Sequence, residues 1–550
     1  MTATVLRTET PATAARPPAG TLAGTGALVR FILRRDRVRL PAWLLGTTLL
    51  LVYFAAVVLP SVAGSEEGLE DLRRLMEGGM GALLGPGYGR DAITQERYIA
   101  GVYGMFFFIL AALMSMLLVS RHTRTEEQSG RAELVRSCVT GRHAQLTAVL
   151  VVAVGANAVL ALLLAGGMAA NGHDAGDGLL FGASVGAAGL VFAGIAAISV
   201  QVTGYARSAT GIAGAVLGVS WAVRAAGDMV SDYGSPLSWL SPLAWSNQTR
   251  PYVDGRWWPL LLSLGLAVAC AGGGYALSAR RDVGAGLVAA RPEAAAAAPW
   301  LRSPLTVALR LQRSSLAWWT AALATFGFVF GGLVDQMADP EDMSANRVEM
   351  FGGSLETLAD GYLAMITLFT AVLTGIMVIL GVQAVRVEEV AGRAEPLLAT
   401  ATSRVGWFGS HLLVVATGLV AVLATVGLAT GAGAALSTGE GSHLVDVAVA
   451  HLAHAPGVLV LAGVSALLVG VVPRASGAAW VLVGYALFAG VFGRLTDLPP
   501  SLRNLSPMEH TGQPPLEDVS AVAVVLLLVV AAGLATVGLA GFRRRDLEAR

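Results

Sequence analysis

What most constrains this chain is the recurrence, over most of its 550 residues, of apolar runs long enough to cross a bilayer. A helix rising about 1.5 Å per residue needs ~20 mainly apolar residues to span a hydrocarbon core of ~30 Å. Twelve runs reach or approach that length. In the first half they are Pro41–Leu59, Ala100–Ser120, Leu146–Met168, Leu179–Val202, Ala209–Ala226 and Pro259–Leu277. In the second half they are Leu316–Val334, Tyr362–Val382, His411–Ala432, Val447–Val472, Gly477–Phe492 and Val519–Ala540. The fifth and eleventh are the shortest, and the tenth contains Pro456, which kinks it or marks its true start. Inside lipid each backbone N–H and C=O must find its partner within the segment, which leaves helix as the form for such runs. The expected fold is therefore an all-α polytopic membrane protein with about twelve transmembrane helices. Only 13% of residues are charged, against roughly 25% in soluble domains. A net charge of zero leaves no nucleic-acid footprint.

Charge tests this map, because arginine concentrates in cytoplasmic loops. The chain has no lysine, so all 37 basic residues are arginine. With the N-terminus inside and strict alternation, inside segments hold 27 Arg and 12 acids, and outside segments hold 9 Arg and 25 acids. Arg224 alone falls within a run. The skew supports both the helix count and an orientation with both termini cytoplasmic. Residues 1–22 are polar and rich in Pro, Ala and Thr, and read as a disordered cytosolic tail without the apolar centre of a secretory signal. Heavy Ala, Gly, Val and Arg usage without lysine points to a high-GC bacterial genome, hence a bacterial plasma membrane.

The two halves repeat one another. RTEEQSGRAE, Arg124–Glu133, returns as RVEEVAGRAE, Arg386–Glu395, identical at seven of ten positions and offset by 262. Arg281-Asp282 returns as Arg545-Asp546, and Leu240–Pro242 (LSP) as Leu505–Pro507. Each half opens on a basic stretch, from Ala27 and from Thr306, suited to lie on the inner membrane surface. The expected layout is a first six-helix half over 23–282, an Ala/Pro-rich cytosolic linker over 283–302, and a second six-helix half over 303–550. Six is even, so the repeats run parallel.

In the decapeptide, Glu127 and Arg131 are four apart, as are Glu389 and Arg393. On a helix each pair is worth about 0.2–0.5 kcal/mol. Gly130 and Gly392 interrupt that helix at the same place in both copies, which suggests a break or a close backbone approach. Topology requires positive charge, not a repeated Glu-Glu. The sharper reading is a docking surface for a soluble protein, present twice because the partner is present twice. Without lysine the chain cannot contain G-x-x-x-x-G-K-[ST], so if ATP drives it, the ATPase is a separate polypeptide.

These features together resemble the permease subunits of ABC-2 type ABC exporters, and more narrowly the fused twelve-helix actinobacterial permeases described as polyketide-antibiotic or tetronasin exporters. The resemblance covers the surface stretch, the long loop after the first helix, the R-x-E-E-x-x-G-R-A-E loop between helices two and three, and the terminal RRD. It implies that Arg124, Glu126, Glu127, Gly130, Arg131 and Glu133 form one ATPase-coupling element. Arg386, Glu388, Glu389, Gly392, Arg393 and Glu395 would form the other. Pro396 follows the second copy where the first has Leu134, which would shorten the second coupling helix. The resemblance further implies two copies of a P-loop ATPase subunit that hold ATP and Mg, with no cofactor in this chain and no enzymatic activity of its own. A hydrophobic small molecule would be exported. The alternative is a proton-driven major-facilitator-type drug efflux transporter, disfavoured by the long loops and by acids confined to loops. A membrane enzyme or scaffold would need a polar catalytic cluster or a soluble domain, and neither stands out.

Other residues carry two readings each. Arg224 either snorkels outward or faces a pathway and binds an anionic group, with Arg494 as a potential counterpart. Phe106, Phe107 and Met114, with their Phe and Met neighbours on the second run, suit either a hydrophobic substrate or ordinary packing. His451 and His454 share a helix face and with His443 suggest a metal or proton site, or a polar face near the outer surface. Cys138 and Cys270 sit in unlike contexts and suggest neither a disulfide nor a metal site.

Overall fold

A computed structural model of the chain describes residues 20–77, 79–85, 88–137, 140–231, 233–282, 284–288, 296–337, 357–492, 498–517 and 519–547. Most of the expected tail, linker residues 289–295, Cys138, Arg494 and most of the loop after the seventh run lie outside them. The described residues contain helices and turns and no strand. They divide into two compact units, 1–293 and 294–550.

In the first unit the surface helix α1 (Thr25–Arg35) stops at Asp36, and α2 (Arg39–Tyr53) follows, continuing as a π-turn to Val58. The long loop after it carries α3 (Glu66–Glu77) and α4 (Gly79–Leu84). Then come α5 (Gly104–His122), the short α6 (Arg124–Gln128) and α7 (Arg131–Arg136), and the long α8 (Ala144–Ala170), α9 (Ala175–Val202), α10 (Ala206–Val230) and α11 (Pro259–Ser278). The second unit runs α12 (Pro304–Gly331), α13 (Leu358–Val390), α14 (Ala394–Leu398), α15 (Arg404–Thr438), α16 (His443–Ala453), α17 (Ala455–Val471), α18 (Ala479–Phe492) and α19 (Ala521–Arg544).

Local chemistry explains the ends. Asp174 caps α9 by accepting the amide of Asp177 at 2.9 Å, and Ser303, Ser403 and Ser520 cap α12, α15 and α19. Pro259 and Pro304 stand in first turns, where no intrahelical N–H is required. Pro456 does the same: the tenth run breaks at His454 and α17 starts afresh.

Eleven of the described spans are long and apolar enough to cross a membrane, so the chain is an all-α polytopic membrane protein. The expected eleventh run is the one missing from that set. Its helix, α18, has 14 residues and ends against the undescribed 493–497. A second correction concerns the basic stretch that opens the second half. In the first half, Asp36 leaves helical geometry and separates α1 from α2. The second half has no such stop, so the stretch from Thr306 and the run from Leu316 merge into the single 28-residue α12.

In both units the second and fourth spans are the buried ones, with 67% and 78% of their apolar windows enclosed in the first unit and 72% and 67% in the second. The remaining spans are enclosed over 17–44% of theirs. Lipid supplies no hydrophobic drive between helices, so close van der Waals approach holds them together. The expected glycine packing is seen in α9: a Cβ on Gly182 would stand 2.1 Å from the carbonyl oxygen of Ala161 on α8.

Candidate functional site

In both copies the decapeptide is broken at its glycine rather than forming one continuous helix. In the first unit α6 ends at Gln128, Gly130 takes φ +72°, and α7 begins at Arg131. In the second, α13 runs on to Val390, Gly392 takes φ +71°, and α14 begins at Ala394. Positive φ is the conformation that glycine alone adopts freely, which accounts for its place in both copies. Pro396 lies inside the first turn of α14, which still reaches Leu398.

This break cancels the expected i,i+4 pairs. Glu127 instead turns inward, its side chain 4% exposed. Arg281 donates from Nη2 and Nη1 to its two oxygens at 2.6 and 2.9 Å, and Arg124 adds a third bond at 2.7 Å. Glu389 does the same in the second unit, 1% exposed. Arg545 grips both of its oxygens at 2.5 and 2.6 Å, and Arg386 approaches to 3.3 Å. Thus the two repeated motifs are one device. In each unit the second glutamate of the decapeptide is held in a bidentate fork by the arginine of that unit's own terminal Arg-Asp, more than 150 residues away. The sequence contained the signal, since both motifs recur at nearly one offset. Nothing local showed that they meet.

Arg124 completes the first clamp. Fully buried, it donates to the carbonyl of Val200 at 3.0 and 2.6 Å and to that of Ala285 at 3.1 Å. Arg281 reaches Gln201 Oε1 at 2.5 Å. The clamp therefore ties the end of α5 to the ends of α9 and α11.

The first glutamates separate the two copies. Glu126 is bridged by Arg35 of the surface helix, with Arg131 at 3.8 Å. Beside it Asp36 lies 2.7 Å from His122 Nε2 and 3.3 Å from Arg121. Sequence reasoning did not single out Arg35, Asp36 or His122. Among the described residues Glu388 makes no ion pair with the opening helix of its unit, α12. It takes a bidentate fork from Arg393 at 2.7 and 2.8 Å.

The exposed rim of each loop is what remains. Arg131 is 56% exposed and Arg393 58%, and Glu133, Leu134, Glu395 and Leu397 are exposed beside them.

Arg224 follows neither of its expected readings. It is fully buried, pairs with Asp228 at 3.1 Å, and donates to the carbonyls of Ala82 at 3.0 Å and of Leu83. Asp228 in turn accepts from Ser238 at 2.8 Å. The arginine neither snorkels nor offers an open anion site. It pins α4 and the loop after α10 to the bundle. Phe107 is enclosed edge-on against Phe181, Phe106 is 44% exposed, and Met114 is enclosed but borders a cavity between α2 and α5. His451 and His454 are fully buried and not on an outer polar face: His451 lies 3.0 Å from Thr370 Oγ1 and His454 2.8 Å from Thr511 Oγ1.

Comparison with known proteins places this arrangement. The sequence family described as "Multidrug efflux system permease Rv1217c, C-terminal domain" matches residues 26–277 and again 301–543, one match within each compact unit. The multidrug efflux system permease protein Rv1217c of Mycobacterium tuberculosis is 38% identical over 557 aligned positions, covering 100% of both chains. The chain therefore belongs to the family of the multidrug efflux system permease Rv1217c.

Proposed function

We propose that the chain is the membrane permease of an ATP-driven exporter of the ABC-2 class, of the actinobacterial polyketide-antibiotic type, moving hydrophobic compounds out of a bacterial cell. The energy comes from separate P-loop ATPase subunits, two per chain, which hold the ATP and Mg. Both termini and both decapeptide loops face the cytosol. Full-length kinship with a multidrug efflux permease supports the transport reading. The repeated glutamate–arginine clamp is the observation that carries the coupling reading. A loop that receives force from a soluble motor must be rigidly attached to the spans it moves. The clamp makes that attachment, and the exposed rim offers charge and an apolar residue to the motor. Glu127, Glu389 and Arg124 thus hold the loop, and Arg131, Glu133, Leu134, Arg393, Glu395 and Leu397 meet the partner. The proton-driven alternative is not favoured: every acidic side chain in the described candidate spans lies within four residues of a span end.

The test is co-expression with a candidate ATPase. Arg131→Ala with Leu134→Ala, combined with Arg393→Ala and Leu397→Ala, is expected to leave the permease inserted and monodisperse but to abolish co-purification of the ATPase and drug-stimulated hydrolysis. Undiminished co-purification, or transport sustained by a proton gradient without ATP, would overturn the reading.

A further inference from the structure

Between α2 and α5 of the first unit lie two cavities, of about 280 and 460 Å³, which share Arg39 and Trp43 and so form one groove. Its walls are Arg39, Trp43 and Leu50 on α2, and Arg121, Met114 and Leu110 on α5. The helices are antiparallel, so both arginines stand at one end and the leucines at the other. We propose that this groove binds an acidic phospholipid, its phosphate at Arg39 and Arg121 and one acyl chain along Trp43, Met114 and Leu50.

Three observations argue for a lipid rather than a soluble anion or a drug. The first is length. Arg39 and Leu50 are eleven positions apart, as are Leu110 and Arg121. At about 1.5 Å per residue that is ~16 Å, close to the ~15 Å of one leaflet's hydrocarbon. The groove thus begins at head-group level and ends near mid-bilayer. The second is charge. Arg39 is exposed and makes no ion pair among the described residues. Arg121 lies 3.3 Å from Asp36, whose other oxygen is 2.7 Å from His122 Nε2, and keeps 23% of its side chain exposed. A cation at the mouth of an apolar groove between transmembrane helices fits an anionic head group. The third is setting. The same membrane level carries exposed Arg30, Arg34 and Arg37, with Phe31, Leu33 and Val38 49%, 46% and 71% exposed beside them. This surface already favours acidic lipid, and the groove selects one molecule from it. The inference does not depend on the ATPase reading, since lipid binding is measured without transport.

The experiment is native mass spectrometry of the purified full chain with an equal mixture of dioleoyl phosphatidylglycerol and dioleoyl phosphatidylcholine. The wild type is expected to retain phosphatidylglycerol preferentially. Arg39→Gln should lower that preference at least about ten-fold, the equivalent of ~1.5 kcal/mol for a hydrogen bond to a charged group. Arg30→Gln, the same charge change on the surface helix, should leave it within about two-fold, since it removes only diffuse attraction. Gly46→Phe should reduce retention of both lipids, because Gly46 lines the groove and a Cβ there meets no atom within 4 Å, so the ring fills the cavity without disturbing the backbone. The proposal fails if Arg39→Gln matches the wild type, or if Arg30→Gln has an equal effect, which would mean diffuse surface charge. It also fails if Gly46→Phe changes nothing, or if glycerophosphoglycerol without acyl chains displaces the lipid, which would mean a free anion site.

Discussion

The clamp in the first unit makes an ordered prediction. Glu127→Ala leaves Arg124 and Arg281 facing one another in a site where Glu127 was 4% exposed and Arg281 8%. Removing one partner of a buried pair costs about 3–5 kcal/mol, mostly because the remaining charge is stranded. Here two cations are stranded, so the upper part of that range applies. Arg281→Ala is milder. Glu127 keeps Arg124 at 2.7 Å and loses one bidentate contact, worth about 1.5–3 kcal/mol for bonds to charged groups. The double variant removes one of the stranded cations and should recover about 1–3 kcal/mol over simple addition. Unfolding of a protein this large is irreversible in practice, so the comparison is of melting midpoints at a fixed scan rate in one detergent, and only their order is used. The expected order is wild type, then Arg281→Ala, then the double variant level with or above Glu127→Ala. A Glu127→Ala protein that melts no lower than Arg281→Ala would refute the argument that the glutamate is the hub. Additive losses would show that the two side chains do not interact.

Further outcomes follow from single features. Gly182→Leu forces a side chain into the α8–α9 contact and should destabilise the first unit by about 1–3 kcal/mol, read as a lower melting midpoint, whereas Gly155→Leu on the same α8, where a Cβ meets nothing within 4 Å, should be tolerated. Asp228→Asn weakens the hold of Arg224, and amide exchange in residues 79–85 should rise while that of α8 stays unchanged. A single cysteine placed at Gly130 or Ala391 in a cysteine-free background should react with a membrane-impermeant maleimide in inside-out vesicles only; labelling on intact cells would invert the orientation. Replacing Gly392 by Val, a β-branched residue at φ +71°, should shift the second loop and reduce ATPase co-purification more than Gly392→Asn, since asparagine tolerates that conformation.

Much of the site was legible in the sequence, but in separate pieces. Glu127, Glu389, Arg281 and Arg545 were each visible in repeated motifs. The i,i+4 geometry assigned the glutamates to Arg131 and Arg393, four residues away. The glycines, which the same sequence displays, defeat that pairing by turning the chain at positive φ. With the helix broken, Glu127 and Glu389 point back into the bundle and find arginines from the far end of their own unit. Arg224 went the same way: its burial depended on carbonyls in α4, a loop segment with no transmembrane character.

By itself the sequence determined where most of the described helices lie and which charged motifs recur between its halves. These are local properties of an apolar run and its flanking charge, and lipid enforces them segment by segment. It could not decide which spans are central or which ion pairs form. A run that is apolar on every face carries no stripe to mark its inner side. A buried charge takes whichever opposite charge the packed bundle brings within 3 Å, and only the tertiary structure brings together residues more than 150 positions apart.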